Sequence, residues 1–277
     1  MTARPAVHSG VTSPSRWLWP PAAIGVAFLL VPLVALAQET PWTRLPELLT
    51  STSSRTALLL SLRTATIATL LCLLLGVPLA FVLARGRPAI VRVVRPLVTL
   101  PLVLPPVVAG LTLLLAFGRH GIVGAPLRSL FGVRVPFSTT AVVLAEAFVS
   151  MPYLVLALDG ALQSVGPRYD AVAATLGAHR LTTFRRVTLP LAAPALVSGT
   201  VLCWARALGE FGATITFAGS LPGVTQTLPL RIYDVLLVDQ DAAIALGLVL
   251  VLVAALVLAF ASSRRLPGLR WGVSSRE

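Results

Sequence analysis

Six long apolar segments divide this chain, and their length limits what it can fold into. Their approximate limits are 17–37, 57–84, 97–117, 139–159, 191–218 and 242–261. About 20 apolar residues in a helix that rises ~1.5 Å per residue cross the hydrocarbon core of a bilayer. Only 12% of the residues are charged, about half the share in a soluble domain. The sequence therefore predicts an all-α integral membrane protein with about six transmembrane helices.

The basic residues predict which end of each helix faces the cytoplasm, because positive charge collects in cytoplasmic loops. With the N-terminus inside, the inner segments hold fourteen arginines and the outer segments hold six. We therefore expect a multi-pass protein of the cell (inner) membrane with both termini in the cytoplasm. The net charge of +12 reflects these loops and the membrane lipid beside them, and not a nucleic-acid partner.

The chain contains no lysine, since all 22 of its basic residues are arginines. A phosphate-binding P-loop needs a lysine that reaches the β- and γ-phosphates. The chain is therefore not expected to bind or hydrolyse ATP itself.

We expect one membrane domain with short tails. The predicted parts are a cytoplasmic tail over 1–16, a first transmembrane helix over 17–37, a transmembrane domain over 55–261 and a cytoplasmic tail over 262–277. The first segment ends in Ala35-Leu36-Ala37, a sequence that is also typical of a signal-peptide cleavage site. Retention and cleavage both stay open, although the apolar run is longer than a usual signal core.

A charged stretch, residues 168–190, separates the fourth and fifth apolar segments. Residues 168–176 are good helix formers, and Asp170 lies in the first turn, where the helix dipole favours an anion. Gly177 can adopt the left-handed conformation that ends a helix. The stretch therefore begins with a short helix and a tight turn.

A second short helix is expected over about 180–187, with Arg180 on its basic edge and Phe184 on its apolar edge. Pro190 then begins the next span, where a proline is tolerated because the first turn leaves its N–H groups unpaired. Physically, the stretch is either a connector on lipid headgroups or a docking element for a cytoplasmic partner.

The spacing in this stretch resembles the EAA loop of ABC importer permeases, whose pattern is Glu-Ala-Ala, three residues, Gly, nine residues, Ile, one residue, Leu-Pro. The matching positions are Ala173, Gly177, Val187, Leu189 and Pro190. Ala171 stands where the family has glutamate, and Asp170 is one position early. The departures put the charged part of the family's contact in doubt, so no charged role is assigned to Ala171.

The resemblance extends over roughly residues 55–260. The segments "LPLVLPPVVAG" (100–110), "ARALGEFGATITFAG" (205–219) and "TQTLPLRIYDVL" (225–236) are similar to the molybdate permease subfamily. Sulfate permeases share the Arg-Ala-x-Gly-Glu core but tend to differ after it. The expected function is thus the permease subunit of an ATP-driven molybdate importer that works by alternating access. A sulfate or tungstate permease and a secondary anion transporter are the alternatives.

What the resemblance implies about assembly goes beyond this chain. It implies a MetI-like fold with a cytoplasmic EAA-type coupling loop over 168–190, and a homodimer with the pore on its two-fold axis. It implies two copies of a separate ABC ATPase, which bind ATP–Mg, and an extracytoplasmic molybdate-binding protein. This chain itself is expected to bind no cofactor.

Two charged residues lie in the fifth apolar segment, Arg206 and Glu210, one helical turn apart. A charge at the bilayer centre costs about 2.5–3.5 kcal/mol on insertion scales, so the pair has to neutralise itself or face water. Either the pair locks the bundle within one helix, or it lines or gates an anion path. Gly209 and Gly212 beside it allow close helix approach or a local break.

The third apolar segment contains Pro101, Pro105 and Pro106. A proline inside a helix removes a hydrogen bond and kinks the helix. We expect one kinked helix over 97–117 whose freed carbonyl groups face a translocation path, although prolines are also ordinary in membrane helices.

Glu146 is alone among apolar residues in the fourth segment. It is either a protonated core carboxyl or the partner of a basic group elsewhere, and the sequence does not choose between these. Cys72 and Cys203 each lie inside an apolar run, which favours buried thiols.

Overall fold

The computed structural model describes residues 16–166 and 168–263, and its regular structure in that part is helical throughout. Apart from Arg16, Ser262 and Ser263, the predicted tails over 1–16 and 262–277 lie outside the described residues. The side chains of Asp170 and Arg180 also lie outside them.

The described residues form a chain of α-helices joined by short connections. In order they are α1 (Trp19–Gln38), α2 (Leu45–Thr50), α3 (Thr52–Arg85), α4 (Pro88–Val103), α5 (Pro106–Phe117), α6 (Gly124–Phe131), α7 (Thr139–Val165), α8 (Arg168–Thr175), α9 (Arg180–Thr183), α10 (Leu189–Leu208), α11 (Gly212–Ala218), α12 (Leu228–Leu236) and α13 (Gln240–Ser263). A π-helical turn, Phe184–Thr188, joins α9 to α10.

Five helices in the described part are long and apolar enough to cross a membrane, and a sixth span exists if α4 and α5 count as one. The five are Arg16–Gln38, Thr52–Arg85, Thr139–Val165, Phe184–Leu208 and Gln240–Ala259. The all-α membrane fold with about six spans is confirmed.

The third span is broken and not merely kinked, so the prediction of one helix over 97–117 is wrong. The direction of the helix axis changes by 120° between α4 and α5. Leu104 and Pro105 between them are extended, with ψ values of 131° and 135°. A proline forces the residue before it out of the helical region, and the consecutive Pro105 and Pro106 apply this constraint twice.

The fifth span also ends earlier than predicted. Helix α10 stops at Leu208, and the chain starts helix α11 at Gly212, so the predicted span over 191–218 is wrong at its outer end. Gly209 caps α10 with its N–H bonded to the carbonyl oxygen of Ala205, 3.2 Å away.

Helix α7 is the centre of the bundle, because α3 and α10 both pack along it. The contacts are close since small residues lie where the helices meet: a Cβ atom on Gly199 would be 3.0 Å from the Cβ atom of Ala157. Such small residues let helix backbones approach in a membrane. Cys72 and Cys203 are buried in this region, as expected.

Helix α1 lies at the edge of the bundle. None of its residues is buried, and its contact within the fold is with α13.

Candidate functional site

The turn predicted at Gly177 is present. Gly177 has a φ of +74°, in the left-handed region, and a substituted Cβ atom there would meet no neighbour within 4 Å. The N–H of Ala178 donates to the carbonyl oxygen of Ala173 at 3.0 Å, which closes the end of α8. The matching positions of the resemblance thus form a capped helix followed by a turn.

The second half of the segment continues into the membrane helix without a loop. The π-helical turn Phe184–Thr188 closes with the N–H of Leu189 bonded to the carbonyl oxygen of Phe184. Pro190 follows in the first turn of α10, where it leaves no N–H unpaired. A single helix therefore runs from Arg180 to Leu208, and π turns of this kind occur often at functional sites.

An aromatic contact attaches this segment to the bundle. The rings of Phe184 and Phe81 lie edge to face with centroids 4.9 Å apart, a geometry that aromatic pairs prefer. Phe81 belongs to α3, so the segment is held against a second long helix.

Three apolar side chains are exposed along α8 and the turn after it. Tyr169, Val172 and Leu176 are spaced by three and four residues, which places them on one helix face. Leu176 is 81% exposed. The sequence reasoning missed this stripe, although its spacing was visible.

A small cavity of about 120 Å³, the central cavity, lies at the break between α4 and α5. Its wall includes two of the predicted prolines, Pro101 and Pro106, together with Ala109 of α5. Arg206 of α10 and Tyr153 of α7 also line it. The structure therefore brings two of the predicted prolines and the predicted arginine to one place, and adds a tyrosine.

Arg206 and Glu210 form the predicted ion pair, but not within one continuous helix. The Nη1 atom of Arg206 is 2.6 Å from Oε2 of Glu210. Glu210 lies in the break after α10, is 1% exposed, and accepts the N–H of Ala213 on its other oxygen at 2.8 Å. One carboxylate thus neutralises the arginine and also pairs a free N–H in the first turn of α11.

Of the two glycines beside this pair, one ends helix α10 and the other allows α11 to lie close to α5. Gly209 ends α10, and Gly212 begins α11 against α5, where a Cβ atom would lie 2.5 Å from the Cβ atom of Pro106. Pro105 is not in the cavity wall but turns the chain before α5. The residues predicted to line the translocation path therefore lie next to one another, where α4, α5, α10 and α11 meet.

Glu146 lies in the interior of α7 and is 1% exposed. Its Oε1 atom accepts the hydroxyl of Thr64 at 2.8 Å, and its Oε2 atom has no partner. No basic side chain of the described residues lies within 4 Å of the carboxyl. Within the described residues, the alternative of a basic partner is therefore not seen, and the carboxyl pairs with a threonine of α3.

A comparison with family models decides what kind of protein has this arrangement. The model of the binding-protein-dependent transport system inner membrane component matches residues 76–267, which include the broken span, the segment 168–190 and the cavity at Arg206. The chain belongs to this family of membrane permeases.

Relatives of this permease are proteins named for molybdenum transport. The Molybdenum transport system permease protein ModB of Mycobacterium tuberculosis is 58% identical over 242 residues, which cover 87% of this chain and 91% of the relative. The ModB protein of Escherichia coli is 43% identical over 180 residues, which cover 65% and 79% of the two chains.

Solved structures share the fold of the permease. A chain of a bacterial alginate ABC transporter, in complex with an alginate pentasaccharide-bound periplasmic protein, superposes with a TM-score of 0.70 at 20% identity. The match covers 90% of this chain and 93% of the other. A chain of the MetNI methionine ABC transporter gives a TM-score of 0.60 at 16% identity, covering 77% and 97%. These likenesses confirm the ABC permease fold.

Proposed function

We propose that this permease is the membrane-spanning subunit of an ATP-driven importer that carries molybdate into the cell. The observation that supports this most is the 58% identity to a protein named as a molybdenum transport permease, over nine-tenths of that relative's length. A permease for sulfate or tungstate is the runner-up, because the Arg206–Glu210 core is not specific for one oxyanion.

The proposed assembly has two copies of this chain, two copies of a separate ATPase that binds ATP–Mg, and an extracytoplasmic molybdate-binding protein. Both termini and the segment 168–190 face the cytoplasm. The excess of arginines in the inner segments supports this orientation. The apolar stripe of Tyr169, Val172 and Leu176 supports a partner on this segment, since an exposed apolar face on a short helix is typical of a surface that a partner covers.

The coupling step follows from the continuity of the helix. When the ATPase subunits close on ATP they displace the segment 168–190, and the π turn transmits this displacement to α10 without an intervening loop. Between positions 189 and 206 the helix rises about 26 Å at ~1.5 Å per residue. Rigid-body rocking of α10 therefore moves Arg206 and reopens the path on the other side.

The anion path proposed for this permease runs past Arg206. The guanidinium attracts an oxyanion, while its contact with Glu210 removes much of that attraction. Tyr153, a neutral polar residue, lines the same cavity. Binding is then weak enough for release, as transport requires, and specificity lies mostly in the extracytoplasmic binding protein.

Uptake of labelled molybdate tests the proposal. Cells without their own molybdate importer would receive this permease with its ATPase and binding protein. We expect uptake that is lost when the ATPase is omitted, and that excess sulfate does not suppress. Suppression of molybdate uptake by that excess of sulfate would contradict the choice of molybdate. Full uptake without the ATPase would favour a secondary transporter.

A further inference from the structure

A second and larger cavity lies at the other end of α5. It measures about 290 Å³ and is bounded by the end of α5, by α6 and by the extended residues that follow α6. Along α5, Ala109 of the central cavity and Leu114 of this one are about 8 Å apart, at ~1.5 Å per residue. In the proposed orientation it lies on the outer side of the membrane.

Three arginines line this cavity: Arg119, Arg128 and Arg134. Residues 118–138 contain no aspartate or glutamate. Among the described residues none of the three guanidinium groups forms a salt bridge. Arg44, in contrast, is exposed in another part of the molecule and forms salt bridges with Asp239 and Asp241. Arg119 and Arg134 are exposed and Arg128 is half-buried, and a concave space lined by charges of one sign raises the local concentration of the opposite ion.

The wall of this cavity is a defined structure. Phe137, which lines it, is the one non-glycine residue of the described chain with a positive φ, at 58°. A bulky residue in that region costs free energy and persists only where its surroundings require it. The N–H of Phe137 donates to the carbonyl oxygen of Phe217 at 3.4 Å, and Phe217 packs against Phe117 with ring centroids 6.1 Å apart.

Gly124 closes the wall from the side of α6. A Cβ atom at this position would overlap the carbonyl oxygens of Phe117 and Gly118, so the backbones of α5 and α6 touch here. The cavity is thus held by backbone contacts and by α11, the same helix that Glu210 caps near the central cavity.

We propose that this cavity binds one tetrahedral oxyanion dianion at the outer mouth, before the anion enters the central cavity. Guanidinium groups donate in a planar fork that fits the oxygen atoms of such an anion. The space holds the anion with several waters, since a water takes up about 30 Å³ of liquid. The route from outside to inside rests on the function proposed above, whereas the binding itself does not.

Protection of an introduced thiol tests the binding. Val133 lines the cavity and is not one of the three arginines, so Val133→Cys places a thiol beside an intact cluster. Cys72 and Cys203 have no exposed surface, so an anionic methanethiosulfonate reagent reacts with the new thiol. With a Kd of about 1 mM, 10 mM molybdate leaves about a tenth of the sites free and slows labelling about tenfold.

The matched controls are Ile122→Cys, an exposed thiol outside the cavity wall, and Val133→Cys combined with glutamine at all three arginines. We expect molybdate to protect neither of them. Equal protection in the arginine-free variant would overturn the proposal, and so would equal protection by perchlorate at matched ionic strength, which would mean charge screening only. Protection by the molybdate-binding protein but not by molybdate would identify a docking surface instead and would also overturn it.

The experiment separates this proposal from the proposed function. If the permease labels as expected but cells take up no molybdate, the oxyanion site stands and the importer assignment fails. If uptake is normal and molybdate gives no protection, the importer stands and the outer site fails.

Discussion

The carboxylate of Glu210 lies 2.6 Å from the guanidinium of Arg206 although the helix that holds Arg206 has already ended at Leu208. The pair therefore joins two helices and not two turns of one. It links the last turn of α10, which continues from the cytoplasmic segment, to the first turn of α11, which packs on α5. A displacement of α10 is consequently transmitted through this pair to α11 and to α5, which lines the central cavity.

The double role of Glu210 gives a graded prediction. Glu210→Gln keeps an oxygen that accepts the N–H of Ala213, whereas Glu210→Ala leaves that N–H and the guanidinium of Arg206 unpaired. A buried donor without a partner costs about 1–3 kcal/mol. We expect the alanine variant to melt well below the glutamine variant in detergent, measured by thermal unfolding. Equal melting temperatures would show that the bond to Ala213 contributes nothing.

The buried Glu146 predicts a second stability difference. Thr64→Val removes the hydroxyl that donates a hydrogen bond to Glu146, which lowers the free energy of unfolding by about 1–3 kcal/mol. Thr69→Val is the control, since the hydroxyl of Thr69 donates to the carbonyl oxygen of Ala65 at 2.7 Å and not to a carboxyl group. Replacing both partners, as Thr64→Val with Glu146→Leu, restores part of the loss because no polar group is then left alone. The account fails here if Thr64→Val and Thr69→Val unfold at the same temperature.

Two helical glycines predict opposite responses to one added methyl group. At Gly110 a Cβ atom would lie 2.6 Å from the carbonyl oxygen of Ala213, so Gly110→Ala pushes α5 away from α11. At Gly160 nothing lies within 4 Å, so Gly160→Ala gains about 1 kcal/mol of helix propensity. Thermal unfolding of both variants should shift in opposite directions. A stabilised Gly110→Ala would mean that the two helices are not in contact.

The cytoplasmic turn predicts a functional difference between two substitutions at Gly177. Valine is strained at a φ of +74°, by about 1–2 kcal/mol, whereas asparagine tolerates this region. We expect Gly177→Asn to take up molybdate and Gly177→Val to insert normally but lose uptake while its ATPase still hydrolyses ATP. Uptake by both variants at the wild-type rate would remove the turn from the coupling mechanism.

The apolar segments predicted the number of spans because length and hydropathy alone decide whether a helix can cross a bilayer. They did not predict where two spans break, since apolar residues continue through Leu104 and through Phe211. The signal for the first break was the pair Pro105-Pro106, which restricts two successive residues and not one. The second break did not show in the sequence because the four-residue spacing of Arg206 and Glu210 fits a continuous helix equally well.

The candidate site was predictable to the extent that it consists of rare residues. A charged pair, a proline cluster and a glycine turn are visible in an apolar chain, and the structure brings Pro101, Pro106 and Arg206 together. Tyr153 and the three arginines of the outer cavity were not singled out, because tyrosines and loop arginines are common in membrane proteins. Only folding shows which of them share a cavity.

The side of the membrane on which Leu176 lies tests the central claim most directly, since the coupling role requires the cytoplasm. Leu176→Cys adds a highly exposed thiol to a chain whose native cysteines are buried. A membrane-impermeant thiol reagent should label it in inverted vesicles stripped of ATPase, and not in intact cells or after the ATPase has bound. Labelling of this position from outside intact cells would contradict the account.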